Sequence, residues 1–164
     1  MILCLGLATA AAGFGAPPQA ASKAPKGKLM TGQARGTFEV KVLPLPEDTK
    51  VPGVTVGRFS IDKQFKGDIE GTSKGEMMTA GTAVKGSAGY VAVEVITGAL
   101  LGRKGSFTLL HQATMKQDGD FKMSLVVIPD SGTGELAGLQ GSMTIVIEPG
   151  KHSYVLDYTF PPRP

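Results

Sequence analysis

Residues 88–116 read AGYVAVEVITGALLGRKGSFTLLHQATMK, and this stretch decides the fold. Two runs, 88–101 and 105–116, flank the short turn GRKG, which is the pattern of a β-hairpin. Tyr90, Ala92, Glu94 and Ile96 share one side of the first run. Phe107, Leu109, His111 and Ala113 share one side of the second. A register with an odd residue sum places both sets on the same face. Their common apolar character makes that face the buried one. Glu94 and His111 then sit on adjacent strands as the polar members of an apolar wall.

The same period of two runs outward from this hairpin. Upstream, Phe38, Val40 and Val42 alternate with Thr37, Glu39 and Lys41, as in a half-buried strand. Pro44, Pro46, Pro52 and Gly53 interrupt it. Phe59, Ile61 and Phe65 next oppose Arg58, Ser60, Asp62 and Gln64. The glycine-rich GDIEGTSKGEMM that follows reads as a turn leading into a third strand over 72–80, and 81–86 as another loop. Downstream, Asp118-Gly119 turns the chain into a strand over 121–128. Met143, Ile145 and Ile147 lead to Pro149-Gly150, and Tyr154, Leu156, Tyr158 and Phe160 return. That hairpin pairs Ile145 with Tyr154 and Met143 with Leu156. The closing PPRP lacks the donors to continue a ladder.

About eight strands with hairpin-length connections result, and no segment longer than ten residues keeps a helical period. The fold class is therefore all-β, an eight-stranded antiparallel up-and-down barrel. A barrel of that size is filled by its own side chains or holds one small ligand.

Composition narrows the function classes. The chain has 164 residues and a formal charge of +3, but the excess is local. Lys23, Lys26 and Lys28 lie in residues 1–33, which carry no acid, and the remainder is balanced. A neutral domain argues against a nucleic-acid partner. The one cysteine, Cys4, rules out a disulfide framework and a thiolate metal site. Residues 2–16, ILCLGLATAAAGFGA, are too short for a comfortable membrane span and resemble a secretory signal, although no Lys or Arg precedes them. The expected organisation is a signal peptide over 1–16, a Pro/Ala/Lys tether over 17–33 and a barrel domain over 34–164. The matching location is the periplasm or the exterior. A translation start at Met30 would instead make the protein cytoplasmic.

Catalytic motifs are scarce. SGTGELAGLQGS, residues 131–142, has neither the Rossmann glycine spacing nor a Lys-Ser/Thr after its glycines. It reads as a tight turn plus a helical turn, Glu135 to Leu139, that plugs one barrel end. His111 and His152 form no zinc pattern, and His152 is expected in solvent after its Pro-Gly turn. No serine lies in G-x-S-x-G. Glu94 and His111 could act as an acid/base couple or as a satisfied structural pair. Tyr90, Tyr154 and Tyr158 would offer hydroxyls to a cavity, if one exists. Met77 and Met78 fill gaps.

The blocks GTFEVKV (36–42), FSIDKQFKGDIEGTSKGEMMTAGTAVKGSAGYVAVE (59–94), GSFTLLH (105–111), PDSGTGELAGLQGSMTI (129–145) and KHSYVLDYTFP (151–161) carry a resemblance. They are similar to a bacterial family of unknown function grouped with the allene oxide cyclase-like barrels. The GTGELAGLQG loop also resembles the Gly-Thr-Gly turn of those cyclases and of plant dirigent proteins. The resemblance implies an eight-stranded antiparallel barrel with a central cavity, often oligomeric. It implies no mechanism here: the cyclases use an Asn to position a water, and this chain has no Asn.

Three readings follow. The first is an exported barrel holding a small, mostly apolar ligand against Tyr90, Glu94, Phe107, His111, Tyr154 and Tyr158, with no cofactor and no metal. The second is a cofactor-free isomerase or cyclase in which Glu94 and His111 exchange the proton. The third is a secreted scaffold or interaction module with a packed interior, and it would show an exposed apolar patch or a homo-oligomer interface.

Overall fold

A computed structural model describes residues 28–46 and 52–162. The expected signal and most of the expected tether lie outside those residues. Eight strands close an antiparallel barrel in chain order. They are β1 (Met30–Leu45), β2 (Thr55–Gly67), β3 (Ile69–Gly81), β4 (Ala88–Leu100), β5 (Arg103–Met115), β6 (Phe121–Val127), β7 (Gln140–Glu148) and β8 (Lys151–Phe160). β1 begins at Met30, so the barrel starts four residues before the expected boundary at 34. The reason is closure: Met30 to Phe38 pair with Phe160 to His152, and the ladder needs those first residues.

The β4–β5 register keeps a residue sum of 203 throughout, from Ala88↔Met115 to Leu100↔Arg103. The turn is tighter than GRKG suggests. Leu101 and Gly102 alone make it, both at positive φ (50° and 78°). Such a two-residue turn matches the twist of paired strands, so Arg103 and Lys104 are pulled into β5. Gly105 is needed for another reason. A Cβ there would stand 2.0 Å from the Thr133 carbonyl oxygen. The connection from β2 to β3 is also tighter than expected, with β3 starting at Ile69 rather than 72. Asp68 holds that corner. Its N–H donates to the Arg35 carbonyl (2.9 Å), and its carboxylate accepts from the Arg35 N–H (2.7 Å).

One end of the barrel is packed shut. Phe65, Ile69, Ile96, Leu100, Phe107, Leu109, Tyr154, Leu156 and Phe160 are all buried there. The segment after β6 folds over this end as a 3₁₀ turn, Gly134–Leu136, shorter than the expected helical turn, and drives Leu136 and Leu139 into the core. Backbone bonds tie it to β5: Ile128 N–H to Thr108 O (2.9 Å) and Thr133 N–H to Ser106 O (2.8 Å). Lys104 N–H donates to the Glu135 carboxylate (2.9 Å), and Arg103 Nη2 to the Glu135 carbonyl (2.7 Å).

The other end is open. There the inward-facing residues, set by ladder parity, stay partly or largely exposed: Val42, Phe59, Met77, Tyr90, Met115, Phe121, Met123, Ile145 and Ile147. Ile147 is 65% exposed although it pairs on the inner face with His152. His152 is itself half-buried rather than in solvent, because its ring stacks on Phe38 with centroids 5.2 Å apart. Closure is uneven. β6 and β7 share one ladder position, Val126↔Ser142, whereas β4 and β5 share thirteen.

Tyr154 depends on Gly36. The phenol crosses that residue to accept the Ile69 N–H at 2.7 Å. An added Cβ would lie 2.6 Å from the hydroxyl and 2.1 Å from the Lys66 carbonyl oxygen. Gly36→Ala should therefore cost about 2 kcal/mol, as overpacking typically does, and release the Ile69 N–H. Urea unfolding measures the first effect, and amide hydrogen exchange at Ile69 the second.

Candidate functional site

Four polar side chains meet inside the barrel below the open end. Lys63 (8% exposed), Ser73 (2%), Glu94 (0%) and His111 (4%) come from β2, β3, β4 and β5. Glu94 is the centre. Its Oε2 accepts from Lys63 Nζ at 2.7 Å and lies 2.9 Å from His111 Nε2. Its Oε1 accepts from the Ser73 hydroxyl. The His111 nitrogen is close to the carboxylate but not aimed at it, and Nε2 has no well-directed acceptor.

Local sequence makes room for this group. Gly75 faces Glu94 across the β3–β4 ladder, and a Cβ there would press within 2.8 Å of the Glu94 Cα. Toward the mouth the inner wall uses small residues, among them Gly57, Ala92 and Ala113. Below the group, Lys63 Nζ rests 4.8 Å from the Phe38 ring centroid and 5.9 Å from that of Phe65, where aromatic faces attract a cation.

Burial alone would push the Glu94 carboxyl upward. His111, then Lys63 and Ser73, more than offset it, and the pKa falls from 4.5 to about 2. The group is thus held ionised. Tyr90 is pushed the other way, first by burial and then by the Glu94 charge.

The residues singled out from the sequence divide between the two halves of the barrel. Glu94 and His111 meet, and Tyr90 stands above them on the mouth side with its hydroxyl 3.5 Å from Met123 Sδ. Phe107 and Tyr154 belong to the packed half, where the Tyr154 hydroxyl is already used. Tyr158 lies toward the plugged end, packed edge-on against Phe160 with centroids 5.8 Å apart. Lys63 and Ser73 are the members that sequence reasoning passed over. Parity could have found Lys63, because it falls between Ile61 and Phe65 on the apolar side of β2. Among the described residues no cluster of three His, Cys, Asp or Glu could hold a metal ion, and no helix is long and apolar enough to cross a membrane. A concavity of about 650 Å³ lies over β2–β6, lined by outward-facing Met78, Val91 and Gln112 together with Tyr90, Ala113 and Met123 of the mouth side.

These features define a class: a small antiparallel barrel, plugged at one end, open at the other, with a charged group sealed in its middle. The chain belongs to the family described as "Protein of unknown function (DUF3224)", which it matches over residues 34–158. It is similar to the crystal structure of a protein of unknown function from the DUF3224 family of Shewanella oneidensis MR-1. The identity is 47% and the TM-score 0.76, over 81% of this chain and 100% of that one. No curated protein matches the chain.

Removing the Glu94 charge leaves Lys63 buried without its counter-ion. Glu94→Gln should cost about 3 kcal/mol at neutral pH, in the range for breaking one side of a buried pair. The sign with pH follows from the lowered pKa: the stability is fully present above 4.5 and is lost as pH falls through about 2. The gap between wild type and Glu94→Gln in urea unfolding should narrow over that interval.

Proposed function

We propose that this barrel binds a small, mostly apolar molecule through its open end, with the ligand's polar tip on the Lys63–Glu94–His111 group. The carrying observation is the contrast between the two ends. One is packed and plugged, while the other leaves inward-facing apolar side chains uncovered above a buried charged floor. Three methionines, Met77, Met115 and Met123, belong to that lining, and thioethers adapt to irregular ligand shapes. A hydrophobic core gains little from a buried ion pair that apolar residues of equal volume could replace. Its retention in the path of an entering molecule favours a recognition role.

The floor suggests the polarity of that tip. Lys63 has three N–H donors and gives one to Glu94, with no other acceptor among the described residues. His111 Nε2 lies beside the same carboxylate oxygen at 2.9 Å. Hydrogen-bond acceptors on the ligand would match the remaining Lys63 donors. An acid/base mechanism is less well served, because a carboxylate with a pKa of about 2 is a weak base at neutral pH. Export to the periplasm or the exterior, with residues 1–16 as the signal, is part of this reading.

Native and denaturing mass spectra of the full chain from an exporting host test both parts. The native mass should exceed the denatured one by a releasable small molecule, and the denatured mass should lack the signal. Fluorescence titration with 1-anilinonaphthalene-8-sulfonate, an apolar probe with an anionic head, gives a second readout. Val42→Phe at the rim and Ala113→Phe below it should weaken that binding at least tenfold while the circular dichroism stays unchanged. No excess mass together with equal dye binding in both variants would sink the proposal.

A further inference from the structure

The outer wall of the barrel is divided by charge. β1, β2 and β3 carry most of the outward-facing ions and pair them across strands, as in Lys66–Glu39 (3.1 Å), Arg58–Glu76 (3.0 Å) and Lys74–Asp62 (4.0 Å). The next strands are different. From Val91 to Thr97 on β4, Ser106 to Thr114 on β5 and Ser124 to Val126 on β6, no outward-facing residue is charged. Instead Met78, Val91, Val93, Val95, Leu110 and Val126 stand between 39% and 52% exposed. They are contiguous: Met78 pairs with Val91, Val93 with Leu110, and Leu110 with Val126.

We infer that this wall is an interface covered by a second copy of the same chain. The patch runs roughly 20 Å along the strands and roughly 15 Å across them, from the rise and spacing of a sheet. That is the scale of the apolar centre of a standard interface, and the Thr, Ser and Gln residues around it supply the polar rim. Charge selects the partner. Packing this wall against the ion-paired wall of another copy would desolvate those ions at its middle, whereas packing it against itself about Leu110 leaves the nearest ions, Glu76 and Lys74 beside Val93 and Val95, toward the rim. One self-complementary patch gives a closed two-fold pair, with Leu110 at its centre between Val93 and Val126. The concavity of about 650 Å³, which includes Met78, Val91 and Gln112, indents the same wall and leaves room for side chains from the partner. Val93, Leu110 and Val126 face outward, so variants there leave the Lys63–Glu94–His111 group untouched and test assembly separately from ligand binding.

Sedimentation equilibrium of the full chain tests it, together with Val93→Glu, Leu110→Glu and, on the charged wall away from the patch, Lys66→Glu. Wild type and Lys66→Glu should show an assembly mass, and each patch variant should weaken association at least tenfold while its thermal unfolding by circular dichroism stays cooperative. A wild-type chain that stays at 17.0 kDa would overturn the inference. So would an assembly that both patch variants leave intact.

Discussion

The register of the β4–β5 hairpin is the constraint on which the rest depends. Two residues, Leu101 and Gly102, make the turn, and their positive φ values leave little freedom in how the strands meet. Side chains alternate sides along a strand, so a slip of one residue in either strand would break the match between the faces. Glu94 would leave the centre of the barrel, and Val93 would enter it. The interior group, the closed core and the apolar outer wall are therefore consequences of one short turn. β5 supplies the preference for this side: its Phe107, Leu109 and Ala113 are plainly core residues, whereas Thr108, Gln112 and Thr114 are not.

The barrel is built in two halves with different physics. In the plugged half, tightly packed aromatic and aliphatic side chains bury apolar area, and that burial drives folding. At the boundary the wall changes to charge, and the chain must satisfy Lys63 and Glu94 where both are buried. It does so by placing partners from three neighbouring strands around the one carboxylate of β4. Above that boundary the inner wall thins to glycine and alanine and then opens onto uncovered Val, Ile, Phe and Met. Exposure of the inner wall therefore rises along the barrel axis from the plug to the mouth.

How much of this was legible in the sequence depends on where alternation was clean. Both hairpin registers and the Glu94–His111 approach follow from parity and short turns. β4 taken alone is ambiguous, because Val91, Val93 and Val95 form a face more apolar than the one that carries Glu94; only β5 settles it. Lys63 was hidden by its type, since a lysine in a strand is ordinarily assigned to solvent. Ser73 was hidden by the glycines around it, which suggested a turn where β3 already runs. The Tyr154 hydroxyl bond joins residues 85 apart, and no local pattern announces a partner at that separation. The exposed end has the same cause. Whether an inward residue is covered depends on how far every other strand extends, which is a property of the closed barrel and not of any one segment.

The thin closure between β6 and β7 has a mechanical consequence. A barrel sealed by long ladders on every side has a fixed circumference, because widening it breaks many hydrogen bonds together. Here seven of the eight junctions are long, and one holds a single register position, Val126↔Ser142. The β6–β7 seam is therefore the one held by the shortest ladder, and Met123 and Ile145 face inward on either side of it. Parting the strands at that seam would break fewer ladder hydrogen bonds than at any other junction.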